Sequence, residues 1–183
     1  MEITYVTGNK YKIELAERIL CPLGIKIIQK KIHCPEIQDN EIENVSKFSA
    51  KYAADKLNAP VIKNDSGLVI ESLNGFPGPY TAYVEDTITE DGILQLMQGK
   101  ENRNAYFMEV ISYCKPNSEP ISFVSKTHGS IALEKRGEYG WSYDRIFIPA
   151  GENKTLAEFE DDERWKFWTD DAYLQLKDFL SNK

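Results

Sequence analysis

The chain has 183 residues, a mass of 21.0 kDa and a formal net charge of −7. That length suggests one domain with a sizeable core, and 42% hydrophobic with 28% charged residues excludes a disordered chain. A pI of about 5.0 makes it a poor coat for nucleic acid, and no apolar run approaches the roughly 18 residues of a membrane span.

Ile3, Tyr5 and Val6 predict an opening strand, followed by a turn at Thr7-Gly8-Asn9. Ile13, Ala16, Glu17 and Leu20 fall at helical spacing, so a helix is expected from about Lys10 to Cys21, stopped by Pro22 and Gly24. Ile25 to Ile32 is the second strand, which makes the opening a strand–helix–strand unit with parallel pairing. Ile42, Val45, Phe48, Tyr52 and Ala53 mark a second helix ending near Asn58. A strand begins at Val61-Ile62 and ends at Asp65, and apolar residues resume at Leu68-Val69-Ile70 after Ser66-Gly67. Asn74 to Pro79 reads as a loop, Ile88 to Gly99 as a short helix. Ala105–Cys114 and Ile121–Leu133 are rich in β-branched and aromatic residues and predict a long antiparallel pair turning at Pro116-Asn117-Ser118. Arg136 to Gly140 reads as a loop and Ile146-Phe147-Ile148 as a short strand. From Thr155 the spacing predicts a helix carrying Trp165, Trp168, Ala172, Leu176 and Phe179 on one stripe. No internal repeat or domain-sized linker interrupts the chain. Met1 to Val6 lacks the basic start of a signal peptide. Three widely spaced cysteines (Cys21, Cys34, Cys114) fit a reducing cytoplasm better than a disulfide framework.

Three segments offer chemistry. Thr7-Gly8-Asn9-Lys10-Tyr11-Lys12 lies between a strand and a helix start, where amides and the helix dipole favour an anion. Gly8 permits close backbone approach, and Lys12 sits in a first turn where a cation opposes the dipole, so a bound anion is its natural partner. The same residues also suit an ordinary turn with an Asn cap and a solvated lysine. Glu36 and Asp65, both expected at strand ends, suit Mg²⁺, which takes one or two carboxylates plus substrate phosphates; Asp before Ser66-Gly67 is equally turn chemistry. Trp141-Ser142-Tyr143-Asp144 offers rings to stack on a flat ligand and a carboxylate to accept from its edge.

Taken together, these segments resemble the inosine triphosphatase (Ham1-like) family, pyrophosphatases of aberrant purine nucleoside triphosphates, and its archaeal branch most of all. The resemblance covers nearly the whole chain. It rests on Thr7-Gly8-Asn9-x-x-Lys12, Pro35-Glu36-Ile37-Gln38, Asp65-Ser66-Gly67-Leu68, Leu73 to Tyr80, Asn102 to Phe107, Tyr143-Asp144, Ile146 to Pro149 and Thr155-x-Ala157-Glu158. The order and spacing of these stretches are far more specific than any one of them.

The resemblance implies a single α/β domain over residues 1–183, an elongated mixed sheet with flanking helices forming two lobes around a cleft. It implies a cytoplasmic homodimer that hydrolyses a nucleoside triphosphate to monophosphate and pyrophosphate with Mg²⁺. Thr7, Gly8, Asn9, Lys12, Lys51 and Ser66 would bind substrate, with Lys12 and Asp65 catalytic. Glu36 and Asp65 would hold the metal, and Trp141, Ser142, Tyr143 and Asp144 would face the base. The chain also departs from the family pattern: Asn64 replaces an acid, Ala82 and Glu163 replace lysines, and Trp141-Ser142 opens the aromatic segment. Phe167-Trp168-Thr169 stands where the family reads a purine with Ser-His-Arg. The substrate is therefore expected to be an aberrant purine nucleotide or one with an altered base, with weak base selectivity. The alternative is a catalytically weak or inactive relative acting as a nucleotide-binding or scaffold protein.

Overall fold

Alternating apolar residues build the first strand, β1 (Glu2–Val6), in which Ile3 and Tyr5 are fully buried. The computed structural model describes residues 1–35 and 37–182. Asn9 caps α1 (Lys10–Leu20), whose buried stripe is Ala16, Ile19 and Leu20, and a short 3₁₀ turn ends at Gly24 in a left-handed conformation (φ +71°). β2 (Lys26–Lys30) returns parallel to β1, as the strand–helix–strand reading expects, with Ile3 opposite Ile27. α2 (Ile42–Leu57) ends on Asn58 in the left-handed region. β3 (Val61–Ile70) then runs parallel to β1 on its other side.

β3 corrects the expected strand end at Asp65. The strand is continuous for ten residues, and Asp65 and Ser66 lie in its middle. The Asp-Ser-Gly step looks like a turn locally, but β3 stays extended through it, pairing with β1 at Val61 and Ile62 and lying beside β4 in the sheet. A further helix, α3 (Thr81–Thr87), precedes the one expected over Ile88–Gly99, which is present as α4 (Thr89–Leu96). Thr89 adopts φ +57°, uncommon for a β-branched residue, and that breaks the run.

β4 (Asn104–Cys114) and β5 (Ile121–Ile131) are neighbours, and β6 (Phe147–Pro149) pairs antiparallel with β5, Ile131 facing Phe147. The result is a mixed six-stranded sheet in the order β2-β1-β3-β4-β5-β6. The C-terminal stretch is not one helix. It comprises 3₁₀ turns at Leu156–Glu158 and Trp165–Phe167, α5 (Asp161–Arg164) and α6 (Asp171–Ser181), with Trp168 extended between them. The expected stripe fails because its residues serve different cores. Trp168 packs edge-on against Phe107 at 5.1 Å, whereas Ala172 and Leu176 pack with Ile19, Ile27 and Ile111.

The chain divides into two compact units, residues 1–65, 109–125 and 170–183 in one, and 66–108 with 126–169 in the other. The first has a core of Ile3, Ala16, Leu20, Ile62, Ile111 and Tyr173, where the Tyr5 and Tyr173 hydroxyls meet at 2.8 Å. The second packs Leu68, Ile70, Ile93, Met97, Ile146, Phe147 and Leu156. Within the second unit the 136–140 loop is pinned to Ala157, whose carbonyl accepts from the amides of Glu138 and Tyr139 at 2.9 and 3.0 Å. Gly137 makes this possible: its φ is +84°, and an added Cβ would lie 2.1 Å from the Ala157 carbonyl carbon and oxygen. Left-handed strain plus overpacking predicts that Gly137→Ala destabilises the protein by about 2–4 kcal/mol. A melting temperature equal to that of the unsubstituted protein in a thermal scan would contradict this.

Among the described residues, no helix is long and apolar enough to cross a membrane.

Candidate functional site

In the first unit, β1 leads into α1 through Thr7, Gly8 and Asn9. The Thr7 hydroxyl accepts from the Asn9 amide at 3.1 Å, and Asn9 Oδ1 accepts from the amides of Tyr11 at 2.9 Å and Lys12 at 3.5 Å. The Asn cap anticipated from the sequence is present, and it engages two of the amides that an anion would otherwise meet. Gly8 has no left-handed φ. A Cβ there would meet only the flexible end of Lys31, 3.4 Å from Cε. Its missing side chain leaves the backbone open to a ligand rather than relieving a turn, and it reveals Lys31 as a further cation beside the turn.

Lys12 is half-buried instead of solvated. Its ammonium donates to Asn64 Oδ1 on β3. Asn64 Nδ2 donates to Glu109 Oε1 on β4 at 2.7 Å, and the Ser125 hydroxyl on β5 bonds the same carboxylate. Burial pushes the Lys12 ammonium below its ordinary range, opposed by the charges of Glu109 and Asp65. Burial likewise raises the Glu109 carboxyl, opposed by the Asn64 hydrogen bond and by Lys12. Asp65 is half-buried next along β3, its charge felt by Lys12. The structure therefore gathers Thr7, Gly8, Asn9, Lys12 and Asp65 and adds Asn64 and Glu109. Glu109 was missed in the sequence; its signal was an acid within an otherwise apolar, β-branched run.

Lys51 belongs to a different set of groups. Its ammonium bonds Asp55 Oδ2 at 3.1 Å and the Ser118 carbonyl at 3.4 Å, at the turn between β4 and β5. Asp55 also accepts from the Asn117 amide at 2.8 Å, so Lys51 is held against this turn. Glu36, expected as a metal ligand, lies outside the described residues. Among the described residues, no cluster of three or more His, Cys, Asp or Glu side chains is placed to hold a metal. Mg²⁺ needs only one or two carboxylates when substrate phosphates supply the rest, and the hard oxygen donor of Asp65 suits it.

In the second unit, Trp141 is 62% exposed, while Tyr143 and Asp144 are buried. Ser142 adopts φ +45°, and its buried hydroxyl has no hydrogen-bond partner among the described residues. The Tyr143 hydroxyl donates to the Thr81 carbonyl at 3.1 Å. The Asp144 carboxylate turns inward: Oδ2 accepts from the Trp141 amide at 3.2 Å and lies 3.7 Å from Arg164 Nη1. Burial raises the Asp144 carboxyl, opposed by that amide and by Arg164. Arg164 also donates to Asp161 at 2.7 Å and stacks 5.7 Å from the centre of the Trp141 ring. Trp141 thus presents an exposed ring backed by a guanidinium, while Asp144 acts as the anchor of that ring's loop.

The dITP/XTP pyrophosphatase of Methanopyrus kandleri is 47% identical over 91% of this chain and 88% of its own length. The Methanosarcina acetivorans protein of the same name is 46% identical over 90% of this chain and 89% of its own length. Among solved structures, the Staphylococcus aureus Ham1 protein superposes with a TM-score of 0.86 at 29% identity, covering 100% of this chain and 99% of that one. A HAM1 protein from Coxiella burnetii gives 0.86 at 26% identity with 100% of both chains covered. The Ham1 family pattern itself spans residues 3–168, from β1 through Trp168, and so takes in both groups of residues described above. The strand–turn–helix with its half-buried lysine, the mixed sheet and these matches agree: the chain belongs to the Ham1 family.

Proposed function

We propose that the chain is a nucleoside triphosphate pyrophosphohydrolase, releasing nucleoside monophosphate and pyrophosphate, with deaminated purine nucleotides as substrates. The observation that carries this reading is Lys12, held by Asn64 at the β1–α1 turn with Asp65 beside it on β3. A cation next to an open glycine turn suits phosphate oxygens, and a half-buried carboxylate next to it suits an attacking water. In this reading Thr7, Gly8, Asn9 and Lys12 receive the phosphates, Ser66 adds a hydroxyl, and Asp65 orients the water and takes its proton. Asp65, with Glu36, would hold Mg²⁺; when bound, the ion neutralises phosphate charge. Lys51 contributes to phosphate binding only by leaving Asp55. The homodimeric state comes from the family resemblance.

For the base, Trp141 supplies a stacking face. The names of the archaeal relatives, dITP/XTP pyrophosphatases, support a deaminated purine. Phe167 carries no polar group, and Trp168 packs with the second unit's core and offers at most one indole N–H. Stacking tolerates any ring, whereas hydrogen bonds discriminate. A pyrophosphate-release screen with Mg²⁺ over ordinary and deaminated nucleotides tests the proposal. Release from inosine and xanthosine triphosphates is expected, with only a modest margin over adenosine and guanosine triphosphates. No release from any nucleotide would overturn it.

A further inference from the structure

The first unit holds a carboxylate that this chemistry leaves without a task. Glu109 sits half-buried on β4, accepting from Asn64 Nδ2 at 2.7 Å and from the Ser125 hydroxyl. Asn64, Glu109 and Ser125 stand on three successive strands of the sheet, β3, β4 and β5. With Lys12 from α1 they form one row of hydrogen bonds in which every donor meets an acceptor.

The polarity of that row depends on Glu109. An amide side chain has two faces, and a half-turn of its end group exchanges acceptor for donor. With its NH₂ toward Lys12, Asn64 would set donor against cation. Nothing in Asn64 itself prevents this. An ionised carboxylate can only accept, so Glu109 holds the NH₂ on its own side and turns Oδ1 toward Lys12. Its negative charge also offsets part of the cost of burying the ammonium.

We propose that Glu109 is a positioning residue for Lys12: acting through Asn64, its carboxylate fixes the amide and holds the ammonium where the substrate's phosphates are received. The assignment rests on the reading of Lys12 as a phosphate ligand. It makes the acid on β4 the counterpart of an acid at position 64 on β3, with the amide relaying its effect by one strand.

The test compares the unsubstituted protein, Glu109→Gln and the double variant Asn64→Asp/Glu109→Gln. Binding of inorganic tripolyphosphate is measured by calorimetry, together with steady-state hydrolysis and melting temperature. In Glu109→Gln the tripolyphosphate Kd and the nucleotide KM should rise roughly tenfold, as for loss of one charged hydrogen bond, with a much smaller change in kcat. The double variant returns a carboxylate to the lysine and should recover most of the affinity. Unchanged Kd and KM in Glu109→Gln would overturn the assignment. So would a double variant that binds no better than Glu109→Gln, since a purely structural role gives no such rescue. Should Glu109→Gln not fold, the double variant decides alone, because near-normal affinity is required of it. If the unsubstituted protein binds tripolyphosphate but hydrolyses no nucleotide, the enzymatic reading falls and the Glu109 comparison still stands on binding. If it hydrolyses nucleotides and Glu109→Gln matches it, only the Glu109 assignment falls. Absence of tripolyphosphate binding by the unsubstituted protein overturns the Glu109 assignment, and the enzymatic reading then stands or falls on hydrolysis alone.

Discussion

Asp65→Asn is expected to lower turnover by about 10²–10⁴-fold, the usual worth of a positioned general base. The fold should survive. The substitution is nearly isosteric, and Asp65 lies in the middle of a ten-residue strand of the sheet, so the backbone there is held by the sheet and not by the side chain. What changes is charge. Asp65 contributes negative potential at the Lys12 ammonium, and an amide neither takes a proton from water nor binds a hard cation as a carboxylate does. Steady-state hydrolysis alongside a thermal melt measures both sides. A folded Asp65→Asn protein with ordinary turnover would remove Asp65 from the mechanism.

Lys12→Ala should lower kcat/KM by roughly 10²–10³-fold, the scale seen when one preorganised donor to developing charge is removed. The loss should be the same for every base, because an ammonium is a point charge that reads phosphate and not ring shape. Stability should fall too, by about 1–3 kcal/mol, because Asn64 Oδ1 loses its donor in a half-buried setting. Comparing specificity constants for inosine, xanthosine and adenosine triphosphates separates these effects. A defect confined to one base would place Lys12 at the base instead of the phosphates.

Much of this site is local in sequence, which is why it was legible there. Thr7 to Lys12 is a strand end, a turn and a helix cap, and each of those depends on neighbouring residues. Asp65 stands out as an acid between the apolar pairs Val61-Ile62 and Leu68-Val69, yet its setting is a strand and not the expected strand end. Polar Asp-Ser-Gly suggests a turn unless a neighbouring strand holds it extended, and that neighbour, β4, is distant in the chain. The C-terminal stripe failed for a related reason. Periodicity reports that residues are apolar at helical steps, but it does not say that Trp168 is claimed by Phe107 and Leu176 by another core.

By itself, then, the sequence determined the elements whose forces act between near neighbours: the parallel β1–α1–β2 unit, α2 with its Asn58 stop, and the candidate phosphate turn. Only the tertiary structure decided what Lys12 touches. Its ammonium bonds Asn64, which bonds Glu109, which in turn bonds Ser125, and no spacing rule relates positions 64, 109 and 125. They meet because hydrogen-bonded ladders set β3, β4 and β5 side by side. A buried charge must then be matched by whatever the adjoining strands present.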